Sequence, residues 1–194
     1  RHILLNSWEG VRMNVTQTGM NSMMDDFAAL GGEMFVMDDG WFGNKYARTD
    51  SQGLGDWEVC KERLPEGIGK LIEYAHGNNI KFGIWIEPEM VNSKSELYGK
   101  HPDWVLKNEH FEPTYGRGGT QLLLDLTNPK VQDHVFGVVD NLMKENPEIA
   151  YIKWDFNISM FNASSPYLPK SHQSNLYVDY HLGLQNILKR VREA

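Results

Sequence analysis

The chain has 194 residues, of which 41% are hydrophobic and 23% charged, enough for one domain with a substantial core. Its 19 lysines and arginines against 26 aspartates and glutamates give a net charge of −7. This balance argues against nucleic acid as a partner, because phosphate binding requires a basic surface. No apolar run approaches the ~20 residues of a membrane span, and a single cysteine, Cys60, excludes an internal disulfide framework.

The first half of the chain predicts three buried strands and two helices. The strands are HILLNS (2–7), EMFVMDDGW (33–41) and KFGIWIEPEM (81–90), and the last two end in carboxylates. The apolar stripe of the first helix is Met20, Met23, Met24, Phe27 and Leu30, closed by Gly31-Gly32. The stripe of the second helix is Ile68, Leu71, Ile72 and Ala75, closed by Gly77-Asn78-Asn79.

The second half predicts two more strands and two more helices. TQLLLDLTNP (120–129) contains a short strand, followed by Asn128 as a helix cap and Pro129 at the first helical position. IAYIKWDFN (149–157) is the fifth strand. The helix stripes are Val131, Val135, Val138, Val139 and Leu142, then Tyr177, Tyr180, Leu184, Ile187 and Val191.

Strands that alternate with helices predict an α/β fold with a parallel sheet, either open and doubly wound or closed into a (β/α)8 TIM barrel. The glycine fingerprint of the open fold is missing after the first strand, where the sequence reads NSWEGVRM, so the barrel is favoured. A complete barrel takes about 250 residues. We therefore expect residues 1–194 to be part of a catalytic barrel domain, roughly its first half with four to five strands, without flanking domains.

The run YIKWDFN places two charges in an otherwise apolar strand. Alternation puts Ile152, Trp154 and Phe156 on the helix-facing side, and Tyr151, Lys153, Asp155 and Asn157 on the inner side. Lys153 and Asp155 are then either an internal ion pair or part of an active site. The second interpretation is favoured because active sites of barrels lie at this end of the strands.

Further acids follow the other strands. Asp38 and Asp39 could cap a helix, bind magnesium or accept the hydroxyl protons of a sugar, with Trp41 and Trp57 nearby. Glu87 and Glu89 could supply a general acid or organise a loop. The histidines fall in no metal-ligand spacing, and no nucleophile elbow or phosphate loop is present. Acids and aromatics without a metal motif suit glycoside hydrolysis, which uses two carboxyl groups.

Seven ordered blocks then resemble one family. LLNSWE, FVMDDGWFG, LGDW, KFGIWIEPEMV, HPDWVL, QLLLDLTNP and YIKWDFN, which together span most of residues 2–157, resemble the catalytic domain of glycoside hydrolase family 36 α-galactosidases. The resemblance implies a (β/α)8 barrel without a cofactor or metal. It also implies retaining hydrolysis of terminal α-linked galactose, as in raffinose or melibiose, through a covalent galactosyl-aspartate.

The resemblance assigns roles to individual residues. Asp155 would be the nucleophile, and Lys153 would bind galactose hydroxyls and keep Asp155 ionised. Asp38 and Asp39 would hold the 4- and 6-hydroxyls. The remaining substrate-binding residues would be Trp57 as a wall of the subsite, Asn157 beside the nucleophile, and Arg117, which lies slightly further from the QLLLD strand than the family's arginine does. Glu87 and Glu89 would be scaffold.

The resemblance also places the general acid/base aspartate beyond residue 194, so we expect the isolated 194-residue chain to be inactive. A raffinose-synthase-like galactosyltransferase, a non-catalytic carbohydrate-binding fragment and a magnesium-dependent barrel enzyme are the alternatives. The sequons at Asn14, Asn157 and Asn162 include one beside the predicted nucleophile. A glycan there would disrupt the site, so a bacterial source without glycosylation is expected, with the protein in the cytoplasm or periplasm. The full-length form is expected to be a homo-oligomer.

Overall fold

The computed structural model describes residues 1–108, 110, 112–113 and 116–194, and only the backbone of residue 117. Eight short strands occur in this part of the chain: β1 Leu4–Asn6, β2 Met34–Met37, β3 Lys81–Ile86, β4 Met90–Asn92, β5 Lys107–Asn108, β6 Gln121–Leu123, β7 Tyr151–Trp154 and β8 Ala163–Ser164. The α-helices there are α1 Trp8–Val11, α2 Gln17–Ala29, α3 Gly67–Gly77, α4 Glu96–Lys100, α5 Pro129–Glu145 and α6 Leu176–Glu193.

The centre of the fold is a parallel four-stranded sheet in the order β1-β2-β3-β7. Its register pairs Leu5 with Phe35, Val36 with Gly83, and Trp85 with Lys153. Each of the three connections contains a long helix, α2, α3 or α5, as parallel pairing requires. The α/β class and the parallel sheet predicted from the sequence are confirmed. Closure into a barrel is not seen in this chain and stays a prediction.

Local signals explain where the long helices begin and end. The Thr16 hydroxyl accepts a hydrogen bond from the Gly19 N–H at the start of α2. The predicted cap of α5 is confirmed, since the Asn128 side chain accepts from the Lys130 N–H and Pro129 is the first helical residue. The stop signals are also found, because Gly31 and Asn79 adopt positive φ values of 80° and 57° just after α2 and α3.

One predicted strand does not belong to the parallel sheet. The QLLL strand, β6, pairs antiparallel with β4 in a separate two-stranded sheet. Among the described residues between β4 and β6, the longest helix is the five-residue α4, so no long helix there carries the chain back for parallel pairing. The strand beside β3 is therefore β7, which follows the 17-residue helix α5.

Four further details differ from the expected burial. Leu4, in a strand predicted to be buried, is 44% exposed because β1 has a neighbour on one side only. Leu30 and Tyr177 were assigned to helix stripes, but both are exposed at helix ends. Phe156 was placed on the helix-facing side of the strand, yet it lies beyond the end of β7 and is 40% exposed.

The core lies between the sheet and its helices. β2 is buried throughout and β3 is buried except at Lys81, and the stripes of α2, α3 and α5 pack against them. No helix in the part of the chain that the structure describes is long and apolar enough to cross a membrane.

Candidate active site

A recess of about 120 Å³ lies at the carboxyl ends of the parallel strands. It is lined by Trp8, Asp38, Asp39, Trp85, Lys153, Asp155 and Asn157. Five of the seven residues assigned from the sequence therefore meet at one place, although they lie up to about 120 positions apart in the chain. The parallel sheet is responsible, because it brings the ends of β1, β2, β3 and β7 to the same edge.

Asp38 follows β2 and joins three strand ends through its carboxylate. Its Oδ2 accepts from Asn6 Nδ2 at 2.6 Å and from Lys153 Nζ at 2.8 Å, and its Oδ1 accepts from the Asp39 N–H. Lys153 thus pairs with Asp38, whereas the sequence had suggested a pair with Asp155. The Lys153 side chain is 37% exposed, and its ammonium group has three N–H donors, so it can donate to a ligand in the recess as well as to Asp38.

Asp39 is bound by a residue that the sequence interpretation did not single out. Arg48 is completely buried and donates to both carboxylate oxygens of Asp39, each at 2.9 Å, in a bidentate ion pair. Arg48 also donates to the side-chain oxygen of Asn92 at 3.1 Å. A carboxylate oxygen can accept more than one hydrogen bond, so a bidentate ion pair of this kind is compatible with further contacts to the carboxylate.

Asp155 lies one residue past β7 and is held mainly through one oxygen. Its Oδ2 accepts from Trp85 Nε1 at 3.0 Å and from Asn157 Nδ2 at 2.8 Å, while its Oδ1 accepts only from the Phe156 N–H at 3.0 Å among the described residues. Partial burial by itself raises the pKa of Asp155, but these hydrogen bonds and the charge of Lys153 outweigh it and hold the pKa below its ordinary value. Asp155 is therefore ionised at neutral pH.

The two glutamates of EPEM are both buried but contact different parts of the structure. Glu87 accepts from the Asn157 N–H at 2.7 Å, beside the recess. Burial raises its pKa to about 7, with the nearby charge of Asp155 acting in the same direction and hydrogen bonds from Asn157 acting against it. Glu89 accepts from Tyr180 Oη at 2.6 Å and Trp154 Nε1 at 2.9 Å, which ties α6 to β7.

Two predicted substrate residues are not seen at the recess. Trp57 lines a separate groove of about 830 Å³, bordered by the loop before α3 and by α4 and α5. Its ring packs against that of Trp85, which lines the recess, with ring centroids 6.1 Å apart. The side chain of Arg117 lies outside the described residues, and its assigned role stays a prediction.

The structure adds Trp8, Trp85, Asn6 and Arg48 to the predicted set. Strand alternation carried a usable signal for Trp85, because it shares the inward face of its strand with Glu87. Asn6 likewise stands at a strand end. Nothing in the sequence around Arg48 marks it, since its importance arises only when the loop after β2 folds back over Asp39.

The magnesium alternative required Asp38, Asp39 and Glu87 to converge on a cation. Asp38 and Asp39 instead accept from Lys153 and Arg48, and Glu87 turns toward Asn157. In the described ranges, no three His, Cys, Asp or Glu side chains are arranged to hold a metal ion. The recess presents carboxylates, an ammonium group and indole rings, a set suited to sugar hydroxyls and an anomeric carbon.

The sequence model of the melibiase family matches residues 1–194, the whole chain. The chain belongs to the melibiase family. Among its relatives, alpha-galactosidase 1 of Pediococcus pentosaceus is 38% identical over 194 residues, and alpha-galactosidase C of Emericella nidulans is 41% identical over 183 residues. The resemblance to family 36 α-galactosidases is confirmed.

Solved melibiase structures share the fold. A GH36 α-galactosidase variant, AgaA from Geobacillus stearothermophilus in complex with raffinose, superposes with a TM-score of 0.91 at 36% identity, covering all of this chain and 26% of that one. The Pediococcus match also covers all of this chain and 26% of its relative, and the Emericella match covers 90% and 24%. The chain thus spans about a quarter of the length of these relatives, which come from bacteria and fungi alike.

Proposed function

We propose that this chain carries the nucleophile and one wall of the galactose site of a retaining α-galactosidase. The observation that supports this most directly is Asp155: an ionised carboxylate at a strand end, in one recess with the Lys153–Asp38 pair, in a chain of the melibiase family. The relatives are α-galactosidases by name, and structures of one of them contain raffinose and stachyose.

Asp155 would attack through Oδ1. Trp85 and Asn157 both donate to Oδ2, so that oxygen is held in place and loses nucleophilicity, whereas Oδ1 accepts, from the residues described, a backbone N–H alone. Attack of Oδ1 on the anomeric carbon forms a galactosyl ester as the glycosidic C–O bond breaks. The leaving oxygen takes the bonding electron pair and a proton from the general acid.

The second displacement returns the enzyme to its starting state. The conjugate base of the general acid removes a proton from water, whose oxygen attacks the same carbon, and Asp155 leaves with the electrons of the ester bond. Two inversions retain the α configuration, and they require the two carboxyl groups to be ~5–5.5 Å apart. The acid/base group is proposed to lie in the portion of the longer relatives that this chain does not span.

Galactose would be recognised by buried acceptors and donors. Asp38 and Asp39 would accept the 4- and 6-hydroxyls, while Lys153 and Asn157 would donate to other hydroxyls near the nucleophile. Because Lys153 and Arg48 hold the two aspartates rigidly, an epimer that fails to match them leaves buried polar groups unpaired. Trp57, which lines the separate groove, and Arg117 are retained as proposed substrate contacts.

The decisive experiment replaces Asp155 with Asn in a full-length protein that carries this chain. The variant should bind galactose with near-normal affinity and lose at least ~10³-fold in hydrolysis of an aryl α-galactoside, because an amide cannot form the ester. Asp103→Asn, at an exposed position that does not line the recess, is the matched control and should retain activity. Turnover by the Asp155 variant close to the wild-type rate would overturn the assignment.

The transferase alternative uses the same nucleophile and differs in the acceptor of the second step. Product analysis with and without an added sugar acceptor separates it from hydrolysis. A carbohydrate-binding protein without activity would bind galactose and yield no product under either condition.

A further inference from the structure

Glu87 is a buried, hydrogen-bonded carboxyl group that has no role in the proposed mechanism. Its side chain is completely buried at the end of β3, where Oε1 accepts the Asn157 N–H at 2.7 Å. Its Oε2 is buried as well and has no hydrogen-bond partner among the described residues. A buried polar atom without a hydrogen bond costs folding free energy, so packing alone does not explain a carboxyl group at this position.

The backbone around Asp155 explains what the contact achieves. Pairing between β3 and β7 ends with the Asp155 N–H, which donates to the Ile86 carbonyl at 2.8 Å. The next N–H, of Phe156, turns onto Asp155 Oδ1, and the one after that, of Asn157, donates to Glu87. Glu87 therefore continues the attachment to β3 by two residues after the regular ladder has stopped.

Asn157 connects Glu87 to the nucleophile. Its backbone is held by Glu87, and its side-chain Nδ2 donates to Asp155 Oδ2 at 2.8 Å. Asn157 is itself exposed, so packing does not restrain it. The carboxylate of Asp155 is thereby held by two donors: Trp85, which lies in β3, and Asn157, which is bound by Glu87 one residue past the end of β3.

We propose that Glu87 is a positioning residue for Asp155, acting through Asn157: it holds the Asn157 backbone so that the amide stays on Oδ2 and Oδ1 faces the anomeric carbon. This inference rests on the proposed function, because it concerns the orientation of the same nucleophile. Glu87 itself touches neither substrate nor the reacting atoms.

The test compares two substitutions in a full-length protein that carries this chain. Glu87→Gln keeps an oxygen acceptor for the Asn157 N–H and should retain kcat within ~3-fold. Glu87→Leu removes the acceptor at similar volume, so the nucleophile loses its alignment. It should lower kcat for an aryl α-galactoside by ~10–100-fold while KM changes less than ~3-fold.

The pH profile adds a readout that loss of packing alone does not move. Without the Asn157 hydrogen bond, the pKa of Asp155 rises, so the acid limb of kcat/KM for Glu87→Leu should shift to higher pH. Glu89→Leu is the matched control, since Glu89 is on the same segment and equally buried but binds Tyr180 and Trp154. It should lower the melting temperature and leave the acid limb in place.

A double-mutant cycle tests whether Glu87 acts on Asp155 through Asn157. In an Asn157→Ala background, Glu87→Leu should lower kcat no further, because the amide through which it acts is gone. Full additivity, an unchanged acid limb in Glu87→Leu, or equal kcat losses in Glu87→Gln and Glu87→Leu would each overturn the proposal. If Asp155→Asn keeps its activity, the proposed function itself fails, and the positioning role of Glu87 fails with it. If Asp155→Asn is inactive and one of the outcomes above occurs, only the role of Glu87 fails.

Discussion

At the scale of single residues, two arginine–aspartate pairs among the described residues are a natural contrast. Arg48 and Asp39 are both buried and paired twice at 2.9 Å, whereas Arg190 and Asp133 lie at the surface, 2.8 Å apart. The distances are similar, but the first pair is bidentate and buried and the second has one contact at the surface. A buried charge that loses its partner stays uncompensated, while an exposed one regains water.

Arg48→Met should therefore destabilise the protein by about 3–5 kcal/mol, because the buried carboxylate of Asp39 loses its bidentate cationic partner. Arg190→Met should change the free energy of unfolding by less than ~1 kcal/mol. Urea titration of the two variants beside the wild type measures both values. Equal losses would mean that Asp39 reaches water or another donor once Arg48 is removed.

At the scale of elements, the contact between α6 and the segment before α5 depends on a glycine. A Cβ atom built on Gly183 would lie 2.1 Å from the backbone carbonyl oxygen of Leu126, which side-chain motion cannot relieve. Gly137, in the middle of α5, is also helical but has no atom within 4 Å of such a Cβ. The two positions separate helix propensity from packing.

Gly183→Ala should lower the free energy of unfolding by about 1–3 kcal/mol, because overpacking exceeds the gain in helix propensity. Gly137→Ala should leave stability unchanged or raise it by up to ~1 kcal/mol. Thermal unfolding of both variants tests the pair. A stable Gly183 variant would show that α6 can move away from Leu126 without loss.

At the scale of the whole molecule, Glu87 links folding to pH. Burial raises its pKa from an ordinary 4.5 to about 7, with Asp155 adding to the effect and hydrogen bonds from Asn157 and the charge of Arg48 opposing it. Between these two pH values the native chain holds a proton that the unfolded chain has released. The contribution of Glu87 to stability is therefore full below pH 4.5 and declines as the pH rises toward 7.

This decline corresponds to roughly 3 kcal/mol, an order-of-magnitude figure for a shift of this size. Glu87→Gln carries no titrating group and should flatten the fall in the free energy of unfolding across that window. Glu62→Gln, at an exposed site, should keep the wild-type profile. Denaturant midpoints measured from pH 4 to pH 8 provide the comparison, and parallel profiles for wild type and Glu87→Gln would contradict it.

The 194-residue chain by itself should show no α-galactosidase activity, since the proposed mechanism needs an acid/base group from the portion of the relatives that it does not span. Incubating the isolated chain with an aryl α-galactoside tests this directly. Hydrolysis that disappears in Glu87→Gln or Glu89→Gln would identify one of these glutamates as the acid. Such a result would also require a new role for the buried Glu87.

Local sequence determined much of this protein. Hydrophobic periodicity located the four long helices and all four strands of the parallel sheet, because one buried face leaves a repeat of 3.6 or 2 residues. Cap and stop signals located helix ends at Asn128, Gly31 and Asn79, since backbone conformation there is set by neighbouring residues. The position of acids at strand ends predicts Asp38, Asp39 and Asp155 as site residues without any knowledge of their partners.

Tertiary structure decided the pairings, which depend on residues far apart in the chain. It assigned β6 to an antiparallel pair with β4, gave Lys153 to Asp38, and buried Arg48 against Asp39. It also separated Glu87 from Glu89, two residues apart, by turning one toward Asn157 and the other toward Tyr180. Periodicity reports which face a side chain occupies, but the partner of a buried charge is set by the packing of distant segments.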